Sequence, residues 1–332
     1  MPDLHIQTAF HTLAGRRPIN QDAVAVQDLP GGRKLLALAD GMGGHQAGEV
    51  ASRKALEALS DALAAGATLD AAVKAANAAV HSAALDREDW QGMGTTLVAL
   101  LQTGTRYEIA SVGDSRAYRI DTAGIRQVTS DHSVAAEATR AGADQAEIAA
   151  SPWRNAVTRA IGTAPAVEVD VFGPFDCTVP HTVVLCSDGL YRVVSNQRIR
   201  DHVYGAGDLA AAVWRLAREA LDGGSTDNIS VIVARFEGVT AGNDANANLA
   251  LLADWLRDGP GLPPVDLPEV ENRNGDKESA NGTGTRRRRR SKKKGRRTSG
   301  RNKSLLVRLS DSIEVVVLIA LVICILVLWL LI

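Results

Sequence analysis

The sequence predicts an α+β fold class followed by a C-terminal transmembrane helix. Three observations predict it. Short apolar runs bounded by Gly, Pro, Asn and Asp recur as strand signals, several of them in one block near residues 97–120. Two pairs of amphipathic helices, at 49–65 with 68–86 and at 195–202 with 207–221, stand apart from those strands. Residues Val315 to Ile332 are 18 consecutive apolar residues. At ~1.5 Å per residue such a run spans about 27 Å, close to the ~30 Å hydrocarbon core of a bilayer.

The elements follow in chain order. Gly15 to Gln21 is a basic, turn-forming stretch, and Pro18 disfavours helix at Arg17. Asp22 then opens a strand-like alternation, which turns through Leu29-Pro30-Gly31-Gly32 into a strand at 34–39. That second strand runs into Asp40-Gly41-Met42-Gly43-Gly44-His45. A carboxylate at the end of a buried strand is costly unless a positive charge sits against it. Glycine lets the backbone come close to a ligand, so a main-chain carbonyl could supply a second oxygen. Strand, Asp-Gly, glycine turn and helix together suit a hard cation such as Mg2+ or Mn2+, although a tight turn with a solvated aspartate fits the same letters.

Glu49 opens the first helix, and Thr68-Leu69-Asp70 offers an N-cap for the second. Strands are expected at 97–101, 106–112 and 117–120, with Gly113-Asp114-Ser115-Arg116 as the turn between the last two. Ser130, Asp131 and Ser133 are all candidate N-caps for a helix at about 133–141. Residues 142–165 read as irregular, and a loop of that length inside a compact domain is usually functional. Strands follow at about 167–172 and 182–186, the second running into Ser187-Asp188-Gly189. Asp227-Asn228 precedes the last strand, Ile229 to Phe236.

Asp40, Asp114, Asp188 and Asp227 thus sit where strands meet turns, and Asp22 precedes another strand. One such residue is an ordinary turn, whereas a set on one sheet system suggests a shared acidic centre. Like-charged carboxylates do not cluster without cations. An all-oxygen ligand set selects Mg2+ or Mn2+ over zinc. Cys177, Cys186 and Cys324 form no CxxC pair, which argues against a zinc site or disulfide framework and fits a reducing compartment.

The ordered motifs Arg17-x-x-Asn20-Gln21-Asp22, Asp40-Gly-Met-Gly-Gly-His45, Gly94-Thr-Thr, Val112-Gly-Asp-Ser-Arg116, Ser130-Asp-His-Ser133, Ser187-Asp-Gly189 and Asp227-Asn228 resemble those of the PP2C-type (PPM) metal-dependent Ser/Thr protein phosphatases, in particular their bacterial branch. The resemblance implies an α-β-β-α sandwich of two mainly antiparallel sheets flanked by helix pairs. It also implies hydrolysis of phosphoserine and phosphothreonine by a metal-bridged hydroxide. Asp40 would bridge two Mn2+ or Mg2+ ions, with the Gly41 carbonyl on one and Asp188 and Asp227 on the other. Asp22 would act through water, and Asp114 with Asp188 would hold a third, weaker ion. Arg17 would grip the phosphate. Gln21 stands where many relatives carry Glu, at a position that is no direct ligand. His45 is a candidate for a catalytic role or a loop residue, and Asp131-His132 reads as structural. Residues 142–163 correspond to a flap beside the site, where Trp153 and Arg154 are candidates for substrate contact or loop anchoring.

Net charge is −1, but residues 286–303 carry twelve Lys/Arg and no acid, so the rest of the chain is acidic. The expected organisation is a phosphatase domain at 1–239, an acidic then polybasic disordered linker at 240–304, and an anchor at 305–332 spanning at about 313–332. A short helix is read at 246–258. The basic run lacks aromatics and lies beside the span, so it reads as fixing topology and holding anionic lipid rather than as nucleic-acid binding. The expected location is the cytoplasmic membrane, single-pass, with the catalytic domain on the cytoplasmic side. The expected partners are phosphorylated proteins, including a Ser/Thr kinase and its targets. A fold kept only as a binding module is the rival reading, opposed by the intact aspartate set and Arg17.

Overall fold

The computed structural model describes residues 4–43 and 46–239. His45, the helix read at 246–258, the linker and the apolar C-terminal run lie outside the described residues. Among the described residues no helix is long and apolar enough to cross a membrane.

The elements are β1 (Leu4–Leu13), β2 (Asp22–Leu29), β3 (Arg33–Met42), α1 (Ala47–Ala64), α2 (Leu69–Asp86), β4 (Gly94–Thr95), β5 (Leu97–Thr103), β6 (Arg106–Val112), β7 (Arg116–Asp121), β8 (Gly124–Gln127), α3 (Val134–Arg140), α4 (Gln145–Ala150), β9 (Asp170–Asp176), β10 (His181–Cys186), α5 (Asp188–Tyr191), α6 (Asn196–Val203), α7 (Leu209–Asp222) and β11 (Ile229–Val239). They build two antiparallel sheets. One has the order β1-β11-β10-β7-β8, and the other β2-β3-β5-β6-β9 with β4 on the end of β3.

The layering follows from which faces are apolar. In β3, Leu35, Ala37 and Ala39 face α1 and α2, while Leu36 and Leu38 point the other way, into the space between the sheets. A strand covered on both faces reads as one continuous apolar run, as 35–39 does. The helix-side core is rich in alanine, with Ala51, Ala55, Ala72 and Ala76 fully buried, which lets the α1–α2 pair lie close to the sheet. On the far side α6 and α7 cover β10 and β11 through Ile199, Val203, Val213 and Leu216. Between the sheets Leu36, Leu38, Val98, Leu100 and Ile109 meet Val183, Leu185, Ile232 and Phe236. The result is the helix, sheet, sheet, helix order implied by the resemblance.

The expected β2–β3 hairpin forms, with Ala23 opposite Ala39 and Leu29 opposite Arg33. Thr68 caps α2, its hydroxyl accepting from the Ala71 N–H. Of the three candidate caps before α3, Ser133 is the one that caps it. Some elements depart from expectation. β1 was not expected; it is an edge strand in which His5 to Leu13 are all at least partly exposed, so no apolar alternation marks it. β9 lies at 170–176 rather than 167–172 and carries Gly173 and Pro174, which read as breakers. An edge position tolerates them. The 142–165 stretch is not wholly irregular, because Asp144 caps the short α4.

Candidate active site and metal centre

The two sheets deliver their polar strand ends to one cavity of about 390 Å3. Arg17, Asp40, Gly41, Asp114, Asp188 and Asp227 line it, together with Thr96, Asn155, Val157 and Arg192. Asp22 lies behind Asp40, directly opposite it in the β2–β3 register. Arg17, Gly41 and the five aspartates expected to form the site are therefore brought together, whereas His45 lies outside the described residues.

Backbone fit explains why Asp40 and Asp188 stand where they do. A Cβ on Gly41 would come within 2.1 Å of the Gly48 carbonyl oxygen at the start of α1, and within 2.7 Å of that of Gln21. A Cβ on Gly189 would lie 2.0 Å from the Asn228 carbonyl oxygen. In both Asp-Gly pairs the glycine thus permits two chain segments to touch beside the aspartate. Thr96 holds Asp40 by two backbone links. Its hydroxyl accepts from the Asp40 N–H at 3.0 Å, and its own N–H donates to the Asp40 carbonyl at 2.9 Å. Asn228 ties the Arg17 loop to the site, accepting from the Gln21 N–H and donating to the Ala14 and Ile19 carbonyls. The Ser187 hydroxyl donates to Asp22 Oδ2 at 2.8 Å.

Sequence reasoning gave Thr96, Ser187 and Asn228 no individual role, although each stood in a quoted motif. Their signal was a small polar residue beside an aspartate-bearing strand end. Arg192 was missed altogether; its signal is a cation four residues after Asp188. The flap is represented at the cavity by Asn155 and Val157. Trp153 does not anchor the loop, since it is 70% exposed. Arg154 lines an adjoining cavity of about 270 Å3, shared with Asp114, Arg116 and Arg192.

Asp131 and His132 prove structural. Asp131 takes a bidentate grip from Arg116, with Nε–H and Nη2–H donating at 3.0 and 2.7 Å. His132 is buried, and its Nδ1 accepts from the Gly113 N–H at 3.0 Å, fixing the turn that carries Asp114. That bond leaves the proton on Nε2, which donates to Asp170 at 3.2 Å.

The electrostatics of the cavity are those of carboxylates in excess. Burial pushes the Asp22 carboxyl up to about 6, against the hydrogen bonds of Ser230 and Ser187. Burial likewise pushes Asp188 up to about 7, with Arg192 opposing the rise. Asp40 lies well above the usual range, through burial first and then the charges of Asp22, Asp188, Asp114 and Asp227. Asp22 Oδ1 and Asp188 Oδ1 are buried without a hydrogen-bond partner. Two arginines offset part of the charge. Arg17 donates to Asp227 Oδ2 at 2.8 Å, and Arg192 lies 2.9 Å from Asp188 Oδ2.

These donors fit a hard divalent cation. They are all oxygen, two of them are buried and unpartnered, and the raised carboxyls have a deficit of positive charge. Among the described residues no three His, Cys, Asp or Glu side chains converge to hold one ion by themselves. Carboxylate ligation here would need completing by main-chain oxygen, such as that of Gly41, and by water, as hard cations accept.

An acidic, arginine-rimmed cavity on a two-sheet sandwich offers oxygen ligands for a hard cation and guanidinium groups able to hold a phosphate ester. Comparison with known proteins narrows the class. Residues 14–219 match the family model for protein phosphatase 2C. The chain is 36% identical over 250 residues to the serine/threonine phosphatase stp of Listeria welshimeri, covering 71% of this chain and 98% of that one. It is 38% identical over 228 residues to the serine/threonine protein phosphatase PstP of Mycobacterium tuberculosis, covering 66% of this chain and 42% of that one. The crystal structure of serine/threonine phosphatase Stp1 from Staphylococcus aureus superposes with a TM-score of 0.64 at 33% identity, covering 70% of this chain and 96% of that one. The chain belongs to the protein phosphatase 2C family.

Proposed function

We propose that this phosphatase hydrolyses phosphoserine and phosphothreonine esters in proteins, using a divalent Mn2+ or Mg2+ centre held by its clustered aspartates. The observation that carries the reading is the convergence of Asp22, Asp40, Asp114, Asp188 and Asp227 on one cavity, with buried oxygens of Asp22 and Asp188 unpartnered. Asp40, the Gly41 carbonyl, Asp188 and Asp227 would hold the ions, with Asp22 behind Asp40 and Asp114 at the cavity wall. Bound ions would generate the nucleophile from water and neutralise charge developing on the phosphoryl group. The residues do the rest. Arg17, on the cavity wall and half exposed, is free to leave Asp227 for a phosphate oxygen, which an arginine grips in charge-assisted bonds. Thr96 fixes the Asp40 backbone, and Asn228 fixes the loop that presents Arg17.

The relatives' activity as serine/threonine phosphatases supports the ester class, and a Ser/Thr kinase is the natural opponent of such an enzyme. We read residues 313–332 as a single-pass anchor and the twelve basic residues of 286–303 as keeping the catalytic domain on the cytoplasmic side, against anionic lipid rather than nucleic acid.

The test is phosphate release from phosphothreonine and phosphoserine peptides by EDTA-stripped protein before and after Mn2+ is returned. Activity lost on stripping and restored by Mn2+ is expected. Full turnover in EDTA would refute the metal reading.

A further inference from the structure

We propose that Arg192 is a built-in cation for the Asp114–Asp188 pair, and that a metal ion reaches that pair only by displacing it. The inference rests on the metal reading above. Its starting point is geometric. One nitrogen, Arg192 Nη2, lies 3.3 Å from Asp114 Oδ2 and 2.9 Å from Asp188 Oδ2. A single positive atom thus bridges two carboxylates, one in the β6–β7 turn and one at the start of α5. Both are well shielded, with side-chain exposures of 6% and 14%. Two such carboxylates side by side need a cation between them, and the protein supplies one itself.

The arginine is held in place. It follows Asp188 by one helical turn, at the C-cap of α5. Its neighbour Tyr191 donates its hydroxyl to the same Asp114 Oδ2 at 3.2 Å. The Tyr191 ring in turn lies under the Arg116 guanidinium, 3.6 Å from the ring centroid, and Arg116 is locked on Asp131. Asp131, Arg116, Tyr191 and Arg192 therefore form a chain of contacts ending on Asp114.

The Asp188 carboxylate is divided by this arrangement. Oδ2 is taken by Arg192, whereas Oδ1 is buried and unpartnered. Oδ1 would be left for the ions of the metal reading, and the side facing Asp114 is closed by the guanidinium. A guanidinium does not lose its proton in a protein, so the arginine keeps its charge wherever the carboxylates are ionised. A divalent ion entering between those carboxylates must then draw the arginine off. An ion at Asp114–Asp188, beyond the two that the resemblance implies, would bind weakly because it must first evict Arg192.

Isothermal titration of EDTA-stripped, full-length protein in detergent with Mn2+ tests this. Wild type is expected to bind two tight equivalents. Arg192→Gln should gain a third, or bind a weak third ion ~10-fold or more tighter, while Arg192→Lys, which keeps the charge, stays near wild type. Equal stoichiometry and affinities in wild type and a folded Arg192→Gln would overturn the inference alone. No Mn2+ binding by wild type would overturn the metal reading beneath it. A second measurement needs no mutation: the Arg192 Nε–H resonance of the unmutated protein should make its largest move as Mg2+ passes two equivalents. A largest move with the first equivalents and none beyond them would overturn the inference even if Arg192→Gln does not fold.

Discussion

Asp22 and Asp188 set the pH behaviour of the centre. Their carboxyls rise from 3.8 to about 6 and about 7, so between pH 4 and 7 the native protein holds protons that the unfolded chain has released. Stability of the metal-stripped protein should therefore fall as pH rises from about 4 through 7. Mn2+ must displace the same protons, so its apparent affinity should rise over the same interval. Melting temperatures and Mn2+ titrations at pH 5, 6 and 7 check both signs, and a Mn2+ affinity independent of pH would contradict them. Arg17→Ala removes a charge-assisted contact worth ~1.5–3 kcal/mol. It should raise KM roughly 10- to 100-fold with a smaller change in kcat; unchanged KM would place phosphate recognition elsewhere. Single letters carried much of this. The aspartates were legible because a carboxylate after an apolar run is costly without a cation. Thr96 and Asn228 carried no such conflict, since buried Thr and Asn are ordinary once hydrogen-bonded. Arg192 was invisible because an i,i+4 pair with Asp188 looks like a helix surface bridge until Asp114 is seen beside it.

At the scale of elements, the strands covered on both faces were the most legible. β3 and β10 read as unbroken apolar runs because each lies between a helix layer and the opposing sheet. β1 and β9 were hard to read because edge strands are only half covered, and their composition follows exposure and turn chemistry instead. The junctions between elements are the vulnerable points. Gly41→Ala pushes a methyl into the Gly48 carbonyl at the mouth of α1. It should cost on the order of 1–3 kcal/mol of stability, as overpacking does, and displace Asp40 enough to weaken Mn2+ binding. Thermal melting with and without Mn2+ measures both effects. Wild-type stability and affinity in Gly41→Ala would show that the β3–α1 junction is looser than its geometry implies.

For the whole molecule, three apolar layers hold two sheets so that their polar ends face one cavity. The order of layers was legible only through family resemblance, because no periodicity in one strand states which sheet it joins. β7 and β10 lie side by side although residues 122–180 separate them in the chain. The acidic body and basic collar belong to this scale as well. Deleting 305–332 should give a soluble enzyme with unchanged activity on short peptides, while full-length protein stays with membranes through carbonate washing. Full-length protein in the soluble fraction would contradict the anchor.

On the metal reading the clustered aspartates act through bound ions, and Asp40 sits at their centre. The most direct measurement is phosphate release from a phosphothreonine peptide by Asp40→Asn and wild type at saturating Mn2+. Loss of a partner outside the ligand shell already costs 10- to 100-fold, so a fall of at least about 100-fold is expected in a variant that keeps its circular dichroism. Near wild-type turnover by folded Asp40→Asn protein would contradict it.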